Sequence, residues 1–470
     1  MKNLQFVLIG LYSLSLYGQN NQILTELETS TANYAKIAMQ IWEYAEMGYQ
    51  EEQSSTLLQQ TLREAGFSIE AGVAGIPTAF VAEYNNNGPV IAILGEYDAL
   101  PGLSQKAVPY KVTNNKRAGH ACGHHLFGTG SVAAAISLKQ YVEKNKIKGT
   151  IRFYGCPAEE GGSGKVYMTR AGLFDDVDIA LHWHADDENA ASPRPALANK
   201  SAKFRFYGRS AHAAGAPEQG RSALDAVEAM NHMTNLMREH MDTSARIHYV
   251  ITRGGEAPNV VPDFAEVYYY SRHPKRDKVI ALFDRIINAA KGAALGTETE
   301  MEFEMIGGTH DLLYVPSFQK MVHNNFKKLG GYTYNEEEEE FAQKISKTLE
   351  KPLDMKYIHN VAPYDINVKA GGSTDVGDVS YTVPTAGLRA ATWVPGTPSH
   401  SWQAVAAGGT SIGIKGMMKA AKVLTLTGIQ LLENPKLIEK IQKEFNEIRG
   451  EKFNYVPLLG NRSPALDYRN

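Results

Sequence analysis

The sequence predicts an α/β protein with a central, mostly parallel sheet that is interrupted by an inserted α+β unit. Three observations carry this. Strand patterns alternate with helical patterns through residue 190, the order of parallel βαβ units. The texture then changes near Asn199 to a β-α-β-β-α-β order, a ferredoxin-like arrangement. After it, α/β character resumes. A chain of 470 residues exceeds what one core usually serves, so more than one domain is expected. The division is a leader over 1–20, a first α/β part over 21–198, the insert over 199–311, and a second α/β part over 312–470.

In chain order, Tyr34, Ile37, Ile41 and Tyr44 recur at helical spacing within a helix from Thr25 to Gly48. A second helix runs from Ser54 and stops at Gly66. Thr78 to Tyr84 and Val90 to Leu94 read as strands, the latter running into Gly95-Glu96-Tyr97-Asp98-Ala99-Leu100-Pro101. A helix spans Leu126 to Val142. Strands follow at Gly149–Tyr154 and Ala180–His184. In the insert, strands at Lys203–Tyr207, Arg246–Thr252, Ala265–Arg272 and Glu298–Met305 enclose helices at Ser222–His240 and Lys275–Ala294. The acidic run Glu336 to Glu340 reads as a solvated surface stretch. Gly371 to Asp378 reads as a turn-rich loop before a Val/Tyr strand, and Pro395 to Ser401 as another loop. A helix from Thr410 to Leu432 closes the fold.

A net charge of −3 argues neither for nucleic acid nor for an anionic membrane surface as a partner. No apolar run reaches the length of a membrane span. Lys2, the apolar run Leu4 to Leu16 and the polar return at Tyr17-Gly18-Gln19-Asn20 read as an export signal, which implies a periplasmic or secreted protein. Only two cysteines occur, Cys122 and Cys156. Export makes a disulfide the default, but Cys122 lies among histidines, and a ligating thiolate cannot also be in a disulfide.

That histidine cluster is the densest chemistry in the chain. Gly119-His120-Ala121-Cys122-Gly123-His124-His125 sits where a polar loop gives way to a helix. Thiolate and imidazole one residue apart can reach one centre, and both suit zinc and related transition metals. Other loop residues able to join them are Glu160, His184 and His400. Glu159 adjoins Glu160, and neighbours in an extended or tightly turned segment point in different directions. One carboxylate can then hold metal while the other accepts a proton, the division of labour of metal-assisted hydrolysis. Asp98 closes a strand at the carboxyl end, where α/β sheets place ligand sites.

Four ordered motifs carry a resemblance. Gly119-His120-Ala121-Cys122-Gly123-His124, Pro157-Ala158-Glu159-Glu160-Gly161-Gly162, Gly208-Arg209-Ser210-Ala211-His212-Ala213 and Pro258-Asn259-Val260-Val261-Pro262-Asp263 together resemble the metal-dependent amidohydrolases of the aminoacylase/carboxypeptidase-G family. The branch is the one holding hippurate, indole-acetyl-amino-acid and aminobenzoyl-glutamate hydrolases. The stretches Gly95 to Gly102 and Ser373 to Ser380 are most similar to the aminobenzoyl-glutamate side.

The resemblance implies a catalytic α/β domain with two divalent metal ions per subunit, zinc or manganese, and an inserted lid through which the chain forms a homodimer. It implies Cys122 as the thiolate shared by the metals, with His124, Glu160, His184 and His400 as the other ligands. It further implies Glu159 as general base and Asp98 as a group behind the ligands. His212 would stabilise the oxyanion in the partner subunit's site. Asn259 and Arg272 would bind the carboxylate end of an N-acyl amino acid or small peptide-like amide; for Arg272 a surface ion pair is an equal alternative. His125 stands where the indole-acetyl and hippurate enzymes have an aspartate. No role follows for His125, His182 or Asp375. Two rival readings remain. One is a binding protein that kept the fold and lost catalysis. The other is a hydrolase with Cys122 as nucleophile, which would need a free thiolate beside a base.

Overall fold

A computed structural model describes residues 22–369 and 371–469. The expected export signal lies outside the described residues, among which no helix is long and apolar enough to cross a membrane. Strands are labelled β1 Ser68–Ala71, β2 Phe80–Tyr84, β3 Val90–Gly95, β4 Leu100–Pro101, β5 Ala118–Gly119, β6 Thr150–Gly155, β7 Ile179–Asp186, β8 Ala198–Tyr207, β9 Arg246–Arg253, β10 Phe264–His273, β11 Glu300–Thr309 and β12 Thr385–Ala391.

The larger sheet has the order β1-β2-β6-β3-β7-β12. Its pairs β6/β3, β3/β7 and β7/β12 are parallel, while β2 is antiparallel to β6 and to β1. The α/β reading with a mostly parallel sheet is therefore correct. Ile91 to Leu94 are all buried, the continuous apolar run of a strand covered on both faces. The helix His124–Asn145 is buried at every residue from His124 to Leu138, so it has no solvent face to make polar. It packs close to β3, because a Cβ at Gly128 would stand 2.5 Å from the carbonyl oxygen of Glu96.

The second sheet is antiparallel throughout, in the order β11-β8-β10-β9. The helices Ala223–Met237 and Arg276–Thr297 join it in a core of their own, around Phe204, Tyr269 and Phe283. Ser222 caps the first of these helices by accepting from Asp225 N. The chain enters this unit on β8 and leaves on β11. The two strands are paired there, Asn199 opposite Thr309, and Asn199 Nδ2 donates to Thr309 Oγ1 at 2.7 Å.

Three expectations need correction. The Val/Tyr strand after the 371–378 loop is a helix, Val376–Thr382. A short buried β-branched run has no periodicity that separates strand from helix. Here tertiary bonds decide: Asp378 accepts from the backbone and ring of His310, and Asp375 from Lys165. The acidic run is not merely solvated. It starts a helix, Glu336–Ser346, with Asn335 and Glu338 forming a capping box, and Glu338 is buried against Lys415. Nor does the helix ending near Leu432 close the fold. Ser411–Glu433 is followed by Pro435–Arg449, restarted by a proline at its first turn, and by a segment that returns across the molecule.

Candidate metal centre

Four neighbouring parallel strands deliver the centre. Their carboxyl ends lie along one edge of the sheet, where open α/β sheets bind ligands. Beyond β3 come Glu96 and Asp98, and beyond β6 come Glu159 and Glu160. His184 lies near the end of β7, and β12 leads into the loop that carries His400. Cys122 and His124 arrive from the loop after β5. Gly123, with φ of 76°, caps the helix that begins at His124. A Cβ at Gly123 would stand 2.4 Å from Ala185 Cβ, so a glycine lets this loop approach the strand of His184.

The residues meet in three donor groups whose ligating atoms lie within 4.8 Å of one another: Cys122, His124 and His184; Cys122, Glu160 and His400; and Glu96, His124 and Glu159. Cys122 belongs to both of the first two. Its Sγ lies 3.5 Å from His184 Nε2, and His400 Nε2 lies 3.0 Å from Glu160 Oε1. The other ring nitrogens are already engaged. His184 Nδ1 donates to Ala185 O at 2.7 Å, and His124 Nδ1 donates to Asp98 Oδ1 at 2.8 Å. That fixes the tautomer and leaves Nε2 of each ring as the free donor. Asp98 Oδ2 accepts from the Glu160 backbone N–H at 2.9 Å, so one carboxylate holds two elements of the centre in register.

The donor set fits divalent cations. His124 Nε2, Glu96 Oε2 and Glu160 Oε1 are buried and make no hydrogen bond, although His124 Nε2 and Glu96 Oε2 are 3.0 Å apart. Buried polar atoms without partners are costly, and here they converge. Burial pushes the Cys122 thiol well above its ordinary range, only partly offset by His124; a bound cation favours the thiolate. Burial, then Glu96, Glu160 and Asp375, hold Glu159 well above the usual carboxylate range. Burial alone would lower His124, but Cys122, Asp98 and Glu96 outweigh it and raise the ring well above its ordinary value. A cation bound there would take the place of the protons that these groups otherwise keep.

Sequence reasoning missed the groups behind the centre. Lys165 is fully buried and bridges Glu96 Oε1 at 2.6 Å and Asp375 Oδ1 at 2.7 Å. Asp375 also accepts from the Lys165 backbone N–H. The i, i+2 spacing of Glu96 and Asp98 was the available signal for Glu96. Lys165 gave none, since a lone lysine in a short helix reads as surface.

His212 and Asn259 are brought together elsewhere, on two loops of the inserted unit. His212 forms a bridge with Val260, and Ala213 N donates to Asn259 O. His212 is exposed, and its Nδ1 accepts from Ala214 N and Gly215 N, at 3.2 and 3.0 Å. The ring proton is therefore on Nε2, directed outward. Arg272 lies on β10, stacked 5.1 Å over Tyr270 with its Nε buried and unpartnered. Among the described residues, no hydrogen bond or ion pair joins these three to the donor groups. His125 turns away, donating from Nε2 to Gly408 O at 3.0 Å, with its ring 4.8 Å from that of His120. His182, one pleat before His184, lies over Gly387 and joins none of the donor groups. Cys122 and Cys156 are both free and buried.

Comparison with known proteins agrees with this geometry. A model of peptidase family M20/M25/M40 matches residues 92–403. One of the subunits of the p-aminobenzoyl-glutamate hydrolase of Escherichia coli (strain K12) is 40% identical over 469 residues, 93% of this chain and 97% of that protein. The Xaa-Arg dipeptidase of Mus musculus is 29% identical, over 89% and 90%. In fold the chain is similar to a dinuclear metal-binding peptidase of the M20 family from Bacillus subtilis, with a TM-score of 0.60 at 18% identity over 87% of this chain and 99% of that one. With residues 92–403 inside the family model and that 40% identical relative aligned over nearly its whole length, the chain belongs to peptidase family M20/M25/M40.

Proposed function

We propose that this hydrolase cleaves the amide bond of N-acyl amino acids or small peptide-like amides of the aminobenzoyl-glutamate kind. Glu159 acts as general base, and two divalent cations, zinc or manganese, are held by Cys122, His124 and His184 and by Cys122, Glu160 and His400. What supports the reading is one observation: two donor groups share Cys122, with Glu159 beside them and in neither. Cations held there would lower the pKa of water and polarise the amide carbonyl. Glu159 takes the proton of the attacking water and passes it to the leaving amine. His124 is oriented by Asp98 through Nδ1, which leaves Nε2 toward the cation site, and Lys165 compensates Glu96 and Asp375. A non-catalytic binding protein would have no use for a half-buried glutamate beside the two groups that share Cys122 and in neither of them. A Cys122 nucleophile would need a thiolate, which burial opposes.

A homodimer through the inserted unit is part of the proposal, with His212 Nε2–H donating to the oxyanion in the partner's site. Its exposed ring favours this, and among the described residues no hydrogen bond engages its Nε2. The hydrolase of the Escherichia coli relative has two differently named subunits, which makes an assembly with a different chain the competing outcome. Export to the periplasm or beyond is proposed on the leader alone and is tested by sequencing the mature N-terminus. The reaction is tested with an amide panel containing aminobenzoyl-glutamate, hippurate and Xaa-Arg dipeptides, assayed on metal-stripped and reconstituted protein. Cleavage of at least one class only after reconstitution is expected; cleavage of none would overturn the proposal.

A further inference from the structure

The loop bearing both glutamates has an unusual backbone. Ala158 and Ser163, neither of them glycine, have φ of 55° and 64°, and Gly161 lies between them at 92°. Residues of this kind hold left-handed conformations only where their surroundings over-determine them. Part of that determination comes from early in the chain: Glu51 accepts from Ala158 N, and Tyr49 Oη donates to Gly162 O, at 2.8 and 2.7 Å. The rest comes from the far end of the described chain. The Glu160 carbonyl accepts from Tyr468 Oη at 3.1 Å and from Arg469 Nη2 at 2.6 Å, and the Tyr468 ring meets that of Tyr49 edge-on at 5.5 Å. The Glu160 peptide is therefore clamped on both sides, its N–H by Asp98 and its C=O by Tyr468 and Arg469.

We propose that residues 455–469 form a strap that sets the geometry of the Glu159–Glu160 loop, with Tyr468 and Arg469 as positioning residues for amide hydrolysis. The role in hydrolysis rests on the function proposed above; the role in metal binding rests only on the donor group that contains Glu160. The strap is anchored along its length. Tyr455 Oη donates to Asp378 at 2.8 Å, Leu458 and Leu459 are buried, and Arg170 donates to the carbonyls of Gly460 and Arg462. Arg462 donates to Ile306 O on β11 and lies 3.6 Å from Glu304 on the same strand. One segment thus ties the inserted unit's exit strand to the catalytic loop.

The test compares the full chain with Tyr468→Phe/Arg469→Ala, reading zinc affinity by competition with a chromophoric chelator, kcat and KM at saturating metal, and the melting temperature. Partners outside the immediate ligands usually set metal affinity by about 10–100-fold. The double variant should lose affinity for one of two zinc ions by about tenfold or more, and lose kcat with little change in KM. Arg469→Lys should restore most of both, because a donor returns. If the double variant fails to fold, Tyr468→Phe, which removes one hydroxyl, should show a smaller shift in the same direction. Unchanged zinc affinity in a folded variant, with or without a lower melting temperature, overturns the proposal. Wild-type protein that binds two zinc ions yet cleaves no amide would overturn the functional reading and leave the affinity comparison intact.

Discussion

Asp98 offers a perturbation whose outcome follows from counting donors. Its carboxylate is buried, and both its partners are N–H groups, His124 Nδ1 and the Glu160 backbone. Two acceptor oxygens satisfy both; the amide of Asp98→Asn has one oxygen and one NH2. The backbone N–H cannot reverse its role, so the amide oxygen goes to Glu160 and the NH2 faces His124. The ring must then carry its proton on Nε2, the atom that faces Glu96 Oε2 and that Asp98 otherwise leaves free. Changes of this kind cost about 10–100-fold in metal affinity, or about 1.4–2.7 kcal/mol. Asp98→Ala instead leaves two buried N–H groups unpaired, at about 1–3 kcal/mol each in stability. Zinc competition on both variants, paired with urea unfolding, separates the effects. Asn should mainly weaken metal binding, while Ala should weaken both metal binding and the metal-free fold. Wild-type zinc affinity in Asp98→Asn would refute the claim that this carboxylate fixes the tautomer.

Three further outcomes follow. Mixing His212→Ala with Glu159→Gln, each inactive alone, should regain activity through subunit exchange, because one site of a mixed dimer is then intact; no regain despite demonstrated exchange would place His212 in its own chain's site or outside the reaction. Metal-free Cys122 should alkylate slowly near neutral pH and faster as pH rises, since burial raises its thiol, and metal loading should stop the reaction; equal rates with and without metal would remove Cys122 from the centre. Burial and Asp98 push Glu51 up to about 8 from 4.5. Between those values the folded state keeps a proton that the unfolded state has released, so metal-stripped protein should lose up to about 1.4 kcal/mol per pH unit as pH rises. Glu51→Gln should flatten that slope in urea unfolding at pH 6, 7 and 8.

The parallel sheet and the candidate donors of the two groups that share Cys122 were legible because each rests on local pattern. Apolar strands such as Ile91 to Leu94 end in polar loops, and Cys122 and His124 sit one residue apart. What was not legible depends on partners distant in sequence. Lys165 is buried only because Glu96 and Asp375, from two other loops, close around it. The helix Val376–Thr382 is chosen by bonds to His310 and Lys165 rather than by its own side chains. Glu338 reads as one of five exposed glutamates, yet it is the member that the capping box and Lys415 bury. The segment ending at Tyr468 and Arg469 has no periodic signal; its place follows from the Glu160 carbonyl it reaches.

The adjacent glutamates carry the central claim, and metal content measured together with kcat on Glu159→Gln and Glu160→Gln tests it most directly. Glu159→Gln keeps the shape of the side chain and should keep metal near the wild-type level. It should lose about two to four powers of ten in kcat, toward the upper end because the same group delivers the proton to the amine. Glu160→Gln removes a charged donor, so metal occupancy should fall and excess metal should partly restore activity. Loss of metal in Glu159→Gln with retention in Glu160→Gln would reverse the two roles, and wild-type metal and activity in both would contradict the account.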